Sequence, residues 1–273
     1  MDEDATEINL RFWEGMAAVH AQGGEGNYYD VEALVRRERP LGDWEERALG
    51  AVGDVAGLDV VQIQSHIGVD AIILAQRGAR VTAVDFSPTA LAAGRDIAQR
   101  AGVELEWVEA DANALPSELD GRFDVAWVTI GAITWIEDLD AWTKGVARTL
   151  RHGGRLVMVE MHPIAQMFNT LDPLVLDGNY AFGGPEVWDE DGSYADADAK
   201  LPATKSVGFA HSLGETLTAA LAADLVIERF EEHMDTEFDP RGDLLTRGDD
   251  GRYRLLLGAK SLPVLFTLVA RKK

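Results

Sequence analysis

From Leu58 onward the chain alternates short apolar runs with helical patterns, and this alternation restricts the fold more than any other feature of the sequence. Such an alternation is typical of a parallel sheet with helices on both faces and right-handed crossovers. A return of the pattern near the C-terminus brings the expected sheet to about seven strands. We predict strands over residues 58–64, 80–85, 105–109, 123–129, 155–160, 225–230 and 264–270.

The helical segments carry recognisable start and stop signals. Ser87-Pro88 begins one helix, because serine suits the N-cap and proline the first helical position. Ser212 and Glu215 have the spacing of a capping box. Gly153-Gly154 is predicted to end the helix over 139–150. The remaining helices are predicted over 69–77, 88–101 and 212–223.

Two segments on either side of this pattern behave differently. Residues 5–21 and 43–55 have helical apolar spacing, so we predict that residues 1–57 form an N-terminal helical cover. Residues 58–273 form the α/β domain in this prediction. Between 164 and 205 the alternation stops, and glycine, aspartate and aromatic residues dominate. A long irregular segment inside a domain usually carries function, so we predict an inserted lid there.

The charge balance and the missing cysteine exclude several function classes. With 25 Lys+Arg against 47 Asp+Glu the net charge is −22, which argues against a nucleic-acid partner. The absence of cysteine excludes thiolate catalysis, disulfide scaffolds and cysteine-ligated metal centres. No metal site is predicted. The acidic N-terminus and the lack of a long apolar run favour a cytoplasmic protein without a membrane partner.

The clearest candidate binding residue is Asp85, at a predicted strand end 17 residues after Gly68. A carboxylate at that position suits a ribose diol, because it accepts both hydroxyl hydrogens. Asp111, at the end of the third strand, would accept from an adenine amino group. Phe86 and Ile130 would lie on either side of the ring. The alternative is that Asp85 only caps a turn.

Several runs together resemble the bacterial class I S-adenosylmethionine-dependent methyltransferases. The run 61–68, VQIQSHIG, is similar to the first motif of a branch that reads LHLQCHFG. The resemblance continues through residues 78–88, 131–139 and 159–163, and it covers most of residues 5–271. It implies a doubly wound, Rossmann-like seven-stranded sheet with an antiparallel last strand, and S-adenosyl-L-methionine as cofactor.

The resemblance also assigns cofactor contacts residue by residue. Because Gln64 and His66 stand where the common motif has glycine, either their side chains point away or His66 itself contacts the cofactor. The implied contacts are Gln64, His66 and Gly68 at the methionine part, Asp85 at the ribose, Phe86, Asp111 and Ala112 at the adenine, Thr129 and Ile130 on the methyl-transfer side, and Trp13 and Tyr28 in the cover.

Histidine and glutamate at strand ends are the candidates for acid–base chemistry. We predict His162 and Glu160 as catalytic residues, with His162 as a general base and Glu160 as a substrate ligand; His66 is a second candidate for the base. The alternative for His162 is a turn residue before Pro163, and for Glu160 a partner of a nearby backbone amide. His20, His152 and His233 are predicted to lie on the surface.

The predicted function is in-line transfer of a methyl group from S-adenosylmethionine to a small molecule. Two alternatives stay open: another reaction that consumes this cofactor, such as an intramolecular cyclisation, and a non-catalytic cofactor-binding protein. Exchange of the apolar N-terminal helix between subunits would make the protein a homo-oligomer.

Overall fold

The computed structural model describes residues 4–24, 27–171, 174–239 and 244–273. Within these residues, no helix combines the length and apolar character that crossing a membrane requires. The helices are α1 (Ala5–His20), α2 (Val31–Val35), α3 (Asp43–Leu49), α4 (Val69–Gln76), α5 (Pro88–Ala101), α6 (Leu139–Thr149), α7 (Pro163–Gln166) and α8 (Leu213–Ala222). The strands are β1 (Asp59–Ile63), β2 (Arg80–Asp85), β3 (Glu106–Glu109), β4 (Phe123–Thr129), β5 (Leu150–Met161), β6 (Phe168–Leu171), β7 (Leu174–Leu176), β8 (Glu186–Asp189), β9 (Lys205–Gly208), β10 (Leu225–His233), β11 (Thr246–Arg247), β12 (Tyr253–Leu257), β13 (Lys260–Leu262) and β14 (Leu265–Lys272).

A seven-stranded sheet in the order β10-β14-β5-β4-β1-β2-β3 forms the centre of the fold. The pairs among β1 to β5 are parallel, whereas β14 runs antiparallel to both β5 and β10. This confirms the predicted doubly wound sheet with an antiparallel last strand. The order reverses between β1 and β4, and ligands of open α/β sheets bind beyond the carboxyl ends of the strands at such a point.

Apolar side chains fill both faces of this sheet, which is why its central strands are almost continuously hydrophobic. In β4, Val125 and Trp127 belong to the cluster under α2 to α5, whereas Ala126 and Val128 belong to the cluster under α6 and α8. The strand period of two sends successive residues to opposite faces. The sheet is therefore covered on both sides, as the alternation of elements predicts.

Helix ends follow the capping signals in two of three cases. The Ser87 side chain accepts from Ala90 N at 3.0 Å with Pro88 in the first turn, and Ser212 and Glu215 form a complete capping box. Gly153-Gly154, however, lies inside β5, so the predicted stop there is wrong. The chain turns from α6 into β5 at Leu150, without a glycine.

The inserted segment is more regular than its composition suggests. It contains the antiparallel pair β6–β7 and the strand β8, which pairs with β9 at the end of the segment. These strands have only three or four residues and therefore too few alternations to detect. The Asn9 side chain on α1 holds β9 by both amide atoms: Val207 N donates to Oδ1 and Nδ2 donates to Val207 O, each at 2.8 Å. Glu14 ties α1 to the start of α5 by accepting from Ser87 and Thr89.

Candidate functional site

A cleft opens at the carboxyl ends of β1, β2 and β4, beside the point where the strand order reverses. Its walls come from the N-terminal segment, the loop after β1 and the ends of the neighbouring strands. Among the described residues of the segment 164–205, only Tyr194 reaches it. The structure brings together in this cleft the predicted cofactor contacts Trp13, Tyr28, Gln64, His66, Asp85, Phe86, Asp111, Ala112, Thr129 and Ile130. Gly68 does not line the cleft, although its neighbours Ile67 and Val69 do.

The loop after β1 follows a backbone course that glycine normally adopts. Gln64 (φ +56°), His66 (φ +51°) and Gly68 (φ +73°) are all left-handed, a conformation that costs non-glycine residues roughly 1–2 kcal/mol. At Gly68 a Cβ atom would lie 2.7 Å from the Trp107 ring, so glycine is required there. Gln64 and His66 therefore adopt the left-handed backbone conformation that glycine would have here, and their side chains become part of the cleft wall.

Two side chains of this loop, those of Gln64 and Ser65, have polar atoms without a hydrogen-bond partner in the described part of the chain. Gln64 Nε2 donates to Ala132 O at 2.9 Å. Gln64 Oε1 and the neighbouring Ser65 Oγ are buried and have no partner within the described residues. Unpaired buried polar atoms are costly unless a ligand or water satisfies them. The loop is thus equipped to bind a ligand that carries donor groups.

Asp85 is a buried carboxylate at the end of β2, only 7% exposed. Its Oδ2 accepts from His66 N at 2.8 Å and its Oδ1 accepts from Ser87 N at 2.9 Å. Burial raises the pKa of Asp85 to about 6, although these backbone bonds oppose the shift. A carboxylate has about four lone-pair sites, so each oxygen can still accept from a ligand. Turn capping and ligand binding are therefore compatible here.

Asp111, which follows β3, also lines the cleft. Its Oδ1 accepts from the backbone N and the side-chain Nδ2 of Asn113, each at 2.9 Å. These bonds fix the carboxylate at the start of a short 3-10 helix. Ala112 is buried and brings the chain close to the cleft.

Acidic residues at the other end of the cleft were missed by the sequence reasoning. Asp70, in the first turn of α4, accepts from Thr129 Oγ1 at 2.6 Å and from Trp127 Nε1 at 3.0 Å. Glu45 lines the same end, and burial, then the charge of Asp70, raises its pKa to about 8. The signal that could have identified Asp70 is its position in the sequence, two residues after Gly68 of the first motif. Glu45 is distant in sequence and gives no such signal.

A buried histidine pair is the second feature that sequence reasoning missed. His20, predicted to lie on the surface, is fully buried, and its Nδ1 lies 2.7 Å from His66 Nε2. His20 Nε2 lies 2.7 Å from Ser193 Oγ. His233 is also buried, against the expectation, and its ring stacks on Trp44 at 3.9 Å. His152 is exposed, as predicted.

Glu160 and His162 lie beneath the cleft rather than on its wall. Glu160, fully buried at the end of β5, accepts hydrogen bonds from four backbone amides, those of Gly131, Ala132, Ile133 and Met161. His162 Nδ1 accepts from Ile164 N at 3.1 Å, and its Nε2 lies 2.9 Å from Glu232. These contacts match the structural alternatives for both residues, a partner of backbone amides for Glu160 and a turn residue for His162.

The matches to known proteins agree with this geometry. Residues 60–154 match a family described as a methyltransferase domain. The demethylmenaquinone methyltransferase of Thermus thermophilus is 34% identical over 122 residues, which are 44% of this chain and 54% of that protein. The chain spans about half the length of the curated relatives it matches.

Two solved structures share the fold over most of the chain. An S-adenosylmethionine-dependent methyltransferase from Mesorhizobium loti has a TM-score of 0.57 at 22% identity and covers 83% of this chain and 96% of its own. Magnesium protoporphyrin IX methyltransferase from Synechocystis PCC 6803, with bound SAH, has a TM-score of 0.59 at 15% identity over 99% and 100% of the two chains. Residues 60–154 are therefore similar to a methyltransferase domain, and most of the chain shares the fold of these two methyltransferases.

Proposed function

We propose that this protein transfers a methyl group from S-adenosylmethionine to a small-molecule acceptor. The observation that carries the proposal is the pairing of Asp85 with the glycine-like loop after β1, at the reversal of the strand order. The family match over this part of the chain supports the same reading. The net charge of −22 favours a small acceptor over a nucleic acid.

The residues of the cleft fit this cofactor. A ribose diol needs an acceptor pair, which Asp85 provides, and the methionine ammonium group needs acceptors such as the unpaired Gln64 Oε1. Asp111 would accept from the adenine amino group, with Phe86 and Ile130 beside the ring. When bound, S-adenosylmethionine supplies an electrophilic methyl group on a sulfonium.

The protein's own contribution in this proposal is positioning and exclusion of water. Residues 1–57 act as a cover, since Trp13, Tyr28 and Glu45 border the cleft. Residues 164–205 act as a lid that reaches the cleft through Tyr194. The acceptor would lie at the end formed by Thr129, Asp70 and Glu45. Burial keeps the Glu45 carboxyl neutral near pH 7, so Glu45 would donate a hydrogen bond to the acceptor.

The proposal is tested by binding and by product mass. Calorimetry should detect binding of S-adenosylhomocysteine, and incubation of S-adenosylmethionine with a panel of small acceptors should give a product one CH2 group heavier. A fragment of the cofactor without a methylated product would favour the intramolecular alternative. Absence of binding, with no rise in melting temperature on adding the ligand, would contradict any cofactor role.

Cofactor affinity is expected to fall as the pH drops below about 6. Burial raises the pKa of Asp85 to about 6, and the ionised form is the one that accepts two hydroxyl hydrogens. Below that pH the free protein holds the neutral acid, so each further pH unit should weaken S-adenosylhomocysteine binding about tenfold. Calorimetry between about pH 5 and about pH 8 measures the effect.

The control for this pH dependence is Asp85→Asn, which cannot ionise. Its affinity should be lower at neutral pH and nearly independent of pH across the same range. If the wild type and the variant lost affinity in parallel on acidification, another group would be responsible and the role of Asp85 would be refuted.

A further inference from the structure

A line of short polar contacts runs from the inserted segment to the cleft. Ser193 Oγ lies 2.7 Å from His20 Nε2, and His20 Nδ1 lies 2.7 Å from His66 Nε2. His20 is fully buried at the end of α1, stacked on the Tyr29 ring at 4.3 Å. Ser193 is 7% exposed and does not line the cleft, whereas His66 does. The three side chains thus connect two elements that are 173 residues apart in sequence.

Both histidines are neutral in this environment. Burial lowers the pKa of His20 to about 2 and that of His66 to about 3. A neutral imidazole carries one N–H donor and one acceptor nitrogen. When one ring nitrogen donates, the other must accept, so the direction of one contact in the line fixes the direction of the next.

The hydrogen bonds of Ser193 decide that direction. Its Oγ already accepts from Ala195 N at 3.1 Å. Its hydroxyl hydrogen needs an acceptor, and within the described residues the available one is His20 Nε2. His20 must then carry its hydrogen on Nδ1 and donate it to His66 Nε2. That leaves the hydrogen of His66 on Nδ1, a nitrogen with no partner in the described part of the chain.

We propose that Ser193 and His20 are positioning residues that hold His66 in the Nδ1–H tautomer, so that His66 offers a neutral N–H donor to an oxygen atom of the ligand in the cleft. The ligand part of this inference rests on the proposed function, since the cofactor carries both carboxylate and ribose oxygens. The inserted segment then controls affinity through a residue that does not touch the ligand.

Ser193→Ala is the variant that tests this control. Without the hydroxyl, His20 is free to accept from His66, and the lone pair on His66 Nδ1 would face a ligand oxygen. We expect the dissociation constant for S-adenosylhomocysteine to rise about tenfold, the worth of one well-placed hydrogen bond. Ser193→Thr keeps a hydroxyl and should restore most of the affinity. Ser206→Ala removes a buried serine hydroxyl on β9, next to the inserted segment and outside the line of contacts, and should bind like the wild type.

A readout without any ligand checks the tautomer itself. Two-bond 1H–15N spectra of protein labelled with 15N-histidine distinguish Nδ1–H from Nε2–H rings. The wild type should show His66 as Nδ1–H at neutral pH, and Ser193→Ala should move it toward Nε2–H. An Nε2–H ring in the wild type would overturn the inference, even if the cofactor binds.

The two hypotheses fail in different ways. If the wild type does not bind S-adenosylhomocysteine, the proposed function fails and the ligand part of the inference falls with it. If the wild type binds and a folded Ser193→Ala binds equally well, the inference alone is overturned. Melting temperatures of the serine variants establish that each is folded.

Discussion

Replacing Asp85 by alanine should weaken S-adenosylhomocysteine binding by roughly two to three orders of magnitude. Two charge-assisted hydrogen bonds from a ribose diol are worth about 3–4 kcal/mol together. The substitution also removes the acceptor of His66 N and Ser87 N, the two contacts that tie the loop after β1 to the end of β2. Isothermal titration calorimetry measures the loss directly.

Two controls separate a lost ligand contact from a disturbed loop. Asp85→Asn keeps an acceptor oxygen and should lose only about tenfold in affinity. Glu109→Ala removes an exposed carboxylate at the end of β3, outside the cleft, and should bind normally. If Asp85→Ala remained folded and bound the ligand as tightly as the wild type, the ribose role would be wrong.

Replacing Glu160 by alanine should lower the free energy of unfolding by about 3–5 kcal/mol. Its carboxylate accepts from four backbone amides, including three successive ones at the start of the turn after β4. Truncation leaves those donors buried without partners, each at a cost of roughly 1–3 kcal/mol before relaxation. Urea denaturation followed by fluorescence measures the difference.

A milder substitution covers the case in which Glu160→Ala does not fold. Glu160→Gln keeps one acceptor oxygen but turns an amide group toward N–H donors, so it should still cost about 2 kcal/mol. Glu137→Ala, which removes an exposed carboxylate from the neighbouring loop, should leave stability unchanged. A Glu160→Gln protein with wild-type stability and strongly reduced turnover would return Glu160 to a catalytic role.

The sheet and the helix caps could be predicted because their signals are local. The run Val125 to Val128 is apolar on both faces, and Ser87-Pro88 starts a helix whatever surrounds it. The position of Asp85 follows from the strand end alone. By the same logic the loop after β1 could be placed in the cleft even though two of its left-handed residues are not glycine.

The burial of His20 could not be predicted in this way, nor could the choice between the catalytic and the structural interpretation of Glu160. His20 ends an amphipathic helix, where a histidine normally faces water, and its partners are 46 and 173 residues away. Glu160 looks like a site residue because it ends a parallel strand, yet its charge is balanced by amides of another turn. The partners that bury His20 and bind Glu160 are distant in sequence, so the residues next to each of them do not indicate these contacts.

The bidentate contact between Asn9 and Val207 means that α1, which borders the cleft, and β9, which packs against α1, do not move independently. A helix and a strand joined in this way open by one cooperative event, because lifting either alone would strip two buried hydrogen bonds. Amide hydrogens in both segments should then exchange with solvent at a common rate. Ligand entry and release would share that rate, so the residence time of a ligand would depend on this contact between α1 and β9.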